Sequence, residues 1–160
     1  MADGITMLRE RRIIESDASP RYVVVSAPGK RFSGDIKVTD LLYETYDNVA
    51  LRGETGESFA KICERFRGIV SELGLEMDID GLLAETEREI LREATPDFCA
   101  SRGEYLSARI MAQLLGVPFI DARDVVKFGP DGRLDGEQTY SLLAAALKGK
   151  KRAVVSGFYG

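Results

Sequence analysis

One hundred and sixty residues can form one domain with a hydrophobic core, but they are too few for two full domains. The composition, 44% hydrophobic and 30% charged with a net charge of -4, excludes a disordered or collagenous chain and gives no electrostatic reason to bind nucleic acid or an anionic membrane. No apolar run approaches the ~18–20 residues of a membrane span and no signal peptide opens the chain, so we expect a cytoplasmic protein that binds small molecules or other proteins.

Apolar residues recur at helical spacing in several segments, and short β-branched runs occupy others. We predict helices over residues 2–16, 37–48, 59–73, 78–92, 98–115 and 136–148, and strands over residues 21–27, 117–121 and 152–156. The first strand has no polar face, which is typical of a parallel strand buried on both sides. Strands that alternate with helices, with a long helical segment after the first strand, predict a single α/β domain with a mainly parallel sheet.

The carboxyl ends of the predicted strands are the places where a parallel sheet gathers its ligands. In this chain they are residues 26–30, the residues after Asp121, and residues 156–160. We therefore expect any small-molecule site to draw on these three segments and on the helices that pack beside them.

The absence of histidine is the most restrictive feature of the composition. It excludes Ser-His-Asp and Cys-His catalysis and every zinc site that needs imidazole. Cys63 and Cys99 form no CxxC pair, and we interpret them as free thiols in a reducing compartment. Phosphoryl transfer is the main reaction class that remains, because it depends on positioning and charge and needs no imidazole.

Gly29 and Lys30 follow a predicted strand, as the Gly-Lys pair of a phosphate-binding P-loop does. The pattern fails on both sides, because a P-loop needs glycine where this chain has Val24 and serine or threonine where it has Arg31. Taken alone, the segment is a surface turn with solvated basic side chains.

Two pairs of aspartates could hold a metal ion, Asp78 with Asp80 and Asp121 with Asp124. Asp78 and Asp80 lie at a predicted helix start, where aspartate commonly accepts hydrogen bonds from the first free amides, and Asp121 and Asp124 lie just past a predicted strand. Helix capping is the better interpretation, and we predict no metal site.

Gly103 lies inside a predicted helix, where glycine costs about 1 kcal/mol relative to alanine. Its presence indicates that something approaches the backbone closely there. The adjacent Glu104 then has two interpretations: a salt bridge to a ligand ammonium group, or an exposed helical carboxylate paired with Arg102 or Arg109. Thr39 also has two interpretations, because its hydroxyl could contact a ligand or simply lie near the start of a helix.

Four segments occur in the order seen in aspartate kinases. They are Tyr-Val-Val-Val-Ser-Ala-Pro-Gly-Lys at 22–30, Val-Thr-Asp-Leu-Leu at 38–42, Ser-Arg-Gly-Glu-Tyr-Leu-Ser-Ala at 101–108, and Val-Val-Ser-Gly-Phe-Tyr-Gly at 154–160. Each segment is weakly specific alone. Together they span essentially the whole chain, which resembles the N-terminal catalytic part of aspartate kinases in the amino acid kinase family.

The resemblance implies a three-layer αβα sandwich that phosphorylates the side-chain carboxylate of L-aspartate with ATP and Mg2+, the first step toward lysine, threonine and methionine. It makes Thr39 a substrate-binding threonine and Glu104 the glutamate that holds the aspartate amino group. Ser26 and Gly29 would lie beside the substrate on the first loop. No catalytic residue and no nucleotide-binding residue is assigned in this chain.

The sequence departs from the family in ways that bear on activity. It contains neither the Lys-x-Gly-Gly-x-Ser motif nor the Gly-Arg-Gly-Gly-Ser-Asp loop that hold the nucleotide, and it carries an insertion over 31–37. We therefore expect residues 1–160 to be a partial kinase domain that is inactive alone and that forms a homodimer or pairs with a complementing chain. The alternative is a non-catalytic binding module or degenerate relative.

Overall fold

A computed structural model describes residues 2–19 and 21–158 of the chain. Seven helices and three strands are present in this range, and their bounds are as follows. The elements in chain order are α1 (Gly4–Glu15), β1 (Arg21–Val25), α2 (Val38–Arg52), α3 (Gly56–Leu73), α4 (Ile79–Glu93), α5 (Pro96–Leu115), β2 (Phe119–Ile120), α6 (Ala122–Val125), α7 (Gly136–Leu147) and β3 (Arg152–Ser156).

The sheet is parallel, as the alternation of strands and helices predicts, and its strand order is β1-β3-β2. Strand β3 is central and buried along most of its length, whereas β1 lies at an edge. The register pairs Val23 with Val154 and Val25 with Ser156, so β1 and β3 end at the same edge of the sheet.

Helices cover the sheet on two sides and produce the expected three-layer arrangement. Helix α5 packs on β1 and β3 and also contacts α2. Val154 belongs to the large core on this side. Its neighbours Ala153 and Val155 point to the other face, where they pack with residues of α7 such as Leu143. Successive side chains of β3 point to opposite faces of the sheet, so each face packs in a separate hydrophobic cluster.

Local sequence signals explain where several helices begin and end. Asp78 accepts a hydrogen bond from the Gly81 amide at the start of α4, and Thr95 accepts one from the Phe98 amide at the start of α5. Gly74 ends α3 with a φ of 61°, a left-handed conformation that glycine adopts without strain. The predicted cap at Asp78 is thus confirmed.

The expectation that the first strand is buried on both sides is wrong. Tyr22 and Val24 are 49% and 65% exposed, because α7 covers the sheet over β3 and leaves the same face of β1 open to solvent. Helix α6, a single turn after Asp121, was not predicted. Its four residues are too few to show a helical period.

Within the described residues, no helix is long and apolar enough to cross a membrane.

Candidate functional site

The ends of β1 and β3 bring two predicted ligand segments together. A Cβ atom added to Gly157 would lie 2.4 Å from the Val25 carbonyl oxygen, so only glycine allows the chain after β3 to pass this close to the end of β1. Ser26 follows Val25 directly and is exposed at this junction. The predicted positions Tyr159 and Gly160 lie outside the described residues.

Helix α5 approaches the same loop through Gly103. A Cβ atom at this position would lie 2.7 Å from the Ala27 Cβ atom and 3.1 Å from Leu42 Cδ1. The close backbone approach predicted from the helical glycine is therefore present, and the neighbours are the loop after β1 and helix α2. This contact sets Glu104, the next residue, beside the loop.

The Glu104 carboxylate is partly withdrawn from water and incompletely paired. Its Oε2 atom is buried and has no hydrogen-bond partner among the described residues. Burial raises the pKa of Glu104 above its usual value, and a hydrogen bond from the Ala27 backbone amide opposes this shift only in part. A buried carboxylate oxygen without a donor is costly, since desolvation is then not compensated.

The interpretation of Glu104 as an exposed carboxylate paired with a neighbouring arginine is wrong. Arg102 is 1% exposed and points to Glu89, with 3.5 Å between Nη1 and Oε2. Arg109 donates to the Tyr105 hydroxyl at 3.1 Å. Both guanidinium groups also lie over the Tyr105 ring. These contacts hold the two arginines away from Glu104, with which helical spacing had paired them.

Thr39 lies in the first turn of α2 and is half-buried. The start of this helix is tied to the loop, because the Val38 amide donates to the Pro28 carbonyl oxygen at 3.1 Å. Lys37, the N-cap residue, makes no side-chain capping hydrogen bond. The hydroxyl of Thr39 is therefore carried on an end of α2 that is fixed next to residues 26–29.

Gly29 is held from the opposite side by a residue that the sequence analysis did not single out. Arg65 of α3 donates from Nη1 to the Gly29 carbonyl oxygen at 3.0 Å and from Nη2 to both carboxylate oxygens of Asp35. Its position gave a signal: Arg65 follows Ile62 by three residues and precedes Ile69 by four, which places it on the apolar face of the helix.

The structure thus gathers the four predicted site residues around one loop. Ser26 and Gly29 belong to it, Thr39 begins the helix tied to it, and Glu104 lies against it. The third predicted segment contributes less directly. Ser156 accepts a hydrogen bond from the Ala122 amide at 2.9 Å, which joins the ends of β2 and β3.

Three of the four aspartates weighed as metal ligands have structural partners. Asp78 and Asp121 cap α4 and α6, and Asp80 accepts from Arg67 at 2.6 Å. Among residues 2–19 and 21–158, no group of three or more acidic, cysteine or histidine side chains could hold a metal ion. We assign no residue of this chain to a magnesium nucleotide and derive no step through it.

Comparisons with known proteins identify the relatives of this arrangement. No family model matches the chain. A crystal structure of Clostridium acetobutylicum aspartate kinase superposes on 99% of the chain with a TM-score of 0.94 and 39% sequence identity. The chain resembles aspartate kinases. Escherichia coli aspartokinase III, in complex with lysine and aspartate, superposes on 96% of the chain with a TM-score of 0.72, and its 24% identity shows the shared fold.

Two curated relatives match shorter stretches. Aspartokinase 3 of Bacillus subtilis is 37% identical over 79 residues, which is 49% of the chain. Cysteine--tRNA ligase of Pseudomonas fluorescens is 33% identical over 92 residues, or 58% of the chain. The chain covers 17% and 19% of these two proteins, and 37% and 38% of the two aspartate kinase structures. Most of each curated relative therefore lies outside its match with this chain.

Proposed function

We propose that this chain provides the aspartate-binding part of an aspartate kinase, an enzyme that transfers the terminal phosphoryl group of ATP to the side-chain carboxylate of L-aspartate. The observation that carries the proposal is the buried Oε2 atom of Glu104, which has no hydrogen-bond donor among the described residues. A substrate ammonium group would supply that donor, together with a positive charge that stabilises the ionised carboxylate.

The surroundings of Glu104 agree with this role. The loop beside it offers the Ser26 hydroxyl and the backbone at Gly29, and Thr39 offers a second hydroxyl at the start of α2. In the proposal these groups bind and orient the aspartate carboxylates, while Glu104 fixes the ammonium group. A hydrogen bond that involves a charged group contributes about 1.5–3 kcal/mol, so loss of the Glu104 carboxylate should lower aspartate affinity measurably.

The nucleotide half of the reaction is not assigned to residues of this chain. The sequence contains neither of the two glycine-rich motifs that hold the phosphates in aspartate kinases. We therefore expect no aspartyl phosphate, trapped as its hydroxamate, when the 160-residue chain is incubated with MgATP and L-aspartate. Loss of even one preorganised donor lowers rates by roughly 10²–10³.

Calorimetric titration of the 160-residue chain tests the proposal directly. L-Aspartate should bind, and succinate, which has the same two carboxylates but no ammonium group, should bind much more weakly. Glu104→Gln should remove most of this preference. If the chain fails to discriminate the two ligands, or binds neither, the aspartate-binding role is wrong, and a non-catalytic interaction module becomes the better interpretation.

A further inference from the structure

The segment between Gly29 and α2 is the insertion noted in the sequence, and its own packing is sparse. Seven of its residues are exposed and contribute little to the core: Lys30, Arg31, Phe32, Ser33, Gly34, Ile36 and Lys37. Asp35 is the exception, at 9% exposure. A cavity of about 190 Å³ separates part of the segment from Leu41 and α3. Apolar contact therefore does not explain how this segment keeps its shape.

Arg65 supplies the missing anchor. Its side chain is 5% exposed, and its guanidinium group reaches both ends of the segment. Nη1 donates to the Gly29 carbonyl oxygen at 3.0 Å, where the segment begins. Nη2 donates to the Ile36 carbonyl oxygen at 3.3 Å, where it ends. The same nitrogen lies 2.6 Å from Asp35 Oδ2.

The Asp35 carboxylate completes the arrangement from within the segment. It accepts from the backbone amide and the Nε atom of Arg31, each at 2.9 Å, in addition to its bonds with Arg65. One carboxylate thus joins a local turn to a helix that is 30 residues away in sequence. Charged hydrogen bonds of this kind are strong where water is excluded.

We propose that Arg65 is a positioning residue for aspartate binding: by holding Gly29 and Ile36 with one guanidinium group, it fixes the distance between the loop at 26–29 and Thr39. This inference rests on the proposed function. Arginine is required because its planar fork presents several donors in fixed directions, whereas lysine offers a single ammonium group on a flexible stem. A loop that is loose before binding must be ordered on binding, which lowers affinity.

The test uses Arg65→Lys, which keeps the charge and removes the fork. Aspartate affinity should fall by roughly tenfold because the loop must be ordered on binding, and amide exchange should accelerate over 30–36 while the core helices stay protected. Arg67→Lys is the matched control on the same helix, because Arg67 is exposed and bonds only to Asp80 on the surface among its described contacts. It should change neither measurement.

Asp35→Asn examines the same anchor from the loop side, which keeps the inference testable if Arg65→Lys does not fold. Native aspartate affinity in a folded Arg65→Lys or Asp35→Asn variant would overturn the positioning role, and so would unchanged amide exchange over 30–36. The proposed function fails separately, by loss of aspartate binding in the native chain or by indifference to Glu104→Gln. An affinity loss reproduced by Arg67→Lys would also overturn the inference.

Discussion

Two carboxylates on either side of the loop after β1 lie in similarly restricted surroundings and differ in their partners. Asp35 accepts hydrogen bonds from two arginines, and these bonds saturate both of its oxygens. Glu104 has one buried oxygen without a donor among the described residues. The pKa values follow this difference: hydrogen bonds from Arg31 hold the pKa of Asp35 well below its usual value, whereas burial raises that of Glu104.

The comparison separates a structural charge from one that is available to a ligand. Removing a charge from water is costly, and a protein can offset the cost with its own donors or leave it to be offset on binding. Asp35 is the first case and Glu104 the second. The contrast predicts that substitution of Asp35 lowers folding stability and loosens the loop that aspartate binding uses, while substitution of Glu104 lowers affinity with little loss of stability.

The largest effect should come from Asp35→Ala. This change leaves the buried Arg65 guanidinium group without its carboxylate, and breaking a buried ion pair by removing one partner costs about 3–5 kcal/mol. Asp80→Ala is the control, because Asp80 pairs with Arg67 in an exposed bridge worth about 1 kcal/mol or less. Urea denaturation of both variants measures the difference, and equal losses would show that the Asp35 pair is not energetically distinct.

Glu104→Gln should lower aspartate affinity by roughly ten- to a hundredfold, the equivalent of about 1.5–3 kcal/mol, with little loss of unfolding free energy. Glu89→Gln is the matched carboxylate, because Glu89 lies within 3.6 Å of both Arg102 and Arg123 and has a structural role. It should show the reverse pattern, with reduced stability and native affinity. Calorimetry and thermal unfolding on the same samples distinguish the two, and native aspartate affinity in Glu104→Gln would remove Glu104 from the site.

Gly103→Ala tests the contact that brings Glu104 to the loop. The new methyl group would overlap Ala27, and overpacking of this kind costs about 1–3 kcal/mol and displaces α5 from the loop. Gly68→Ala is the control in helix α3, where a Cβ atom meets nothing within 4 Å. That substitution should stabilise the protein by roughly 0.5–1 kcal/mol. Equal shifts in melting temperature for the two variants would contradict the close approach.

The parallel sheet and most helices could be predicted from the sequence because their signals are local. The period of apolar residues in α3, the proline and threonine at the start of α5, and the β-branched run of β3 each act over a few residues. The exposed face of β1 could not be predicted in this way. A run such as 22–25 is apolar whether or not a helix covers it, and the placement of α7 decides which side is buried.

The site shows the same limit. Gly103 indicated a close approach, and the order of four motifs gave Thr39 and Glu104 their proposed roles, but spacing alone paired Glu104 with the wrong arginines. Arg102 turns toward Glu89 on α4, a contact between helices that no local pattern encodes. The ion pair of Arg65 with Asp35 joins residues far apart in sequence, and only the fold brings them together.

The two carboxylates should also give opposite contributions to the pH dependence of stability. Asp35 has a lowered pKa, so its contribution is present above its unfolded value of about 4 and is lost as the pH falls through the folded value. Glu104 has a raised pKa, so its contribution is present at low pH and is lost as the pH rises through the folded value. Urea denaturation from pH 3 to 7 measures the unfolding free energy of each variant. Asp35→Asn should lose less of it on acidification than the native chain does. Glu104→Gln should gain stability relative to the native chain, and the gain should be larger at neutral pH than at low pH. If the unfolding free energies of the two variants changed with pH in the same way, the contrast between Asp35 and Glu104 would be wrong.

The smallest predicted effect is a pH dependence of aspartate binding itself. Only the ionised form of Glu104 attracts an ammonium group, and burial raises its pKa, so it protonates at a higher pH than an ordinary glutamate. The side chain of free aspartate titrates near pH 3.9 and stays ionised in this range. Aspartate affinity should therefore decline on acidification before the ligand titrates, by at most about tenfold per pH unit. Aspartate binding to Glu104→Gln should lack this decline, because that variant has no Glu104 carboxylate to pair with the ammonium group. An identical decline in the two titrations would assign the pH dependence to another group and leave the two carboxylates indistinguishable in their response to a ligand.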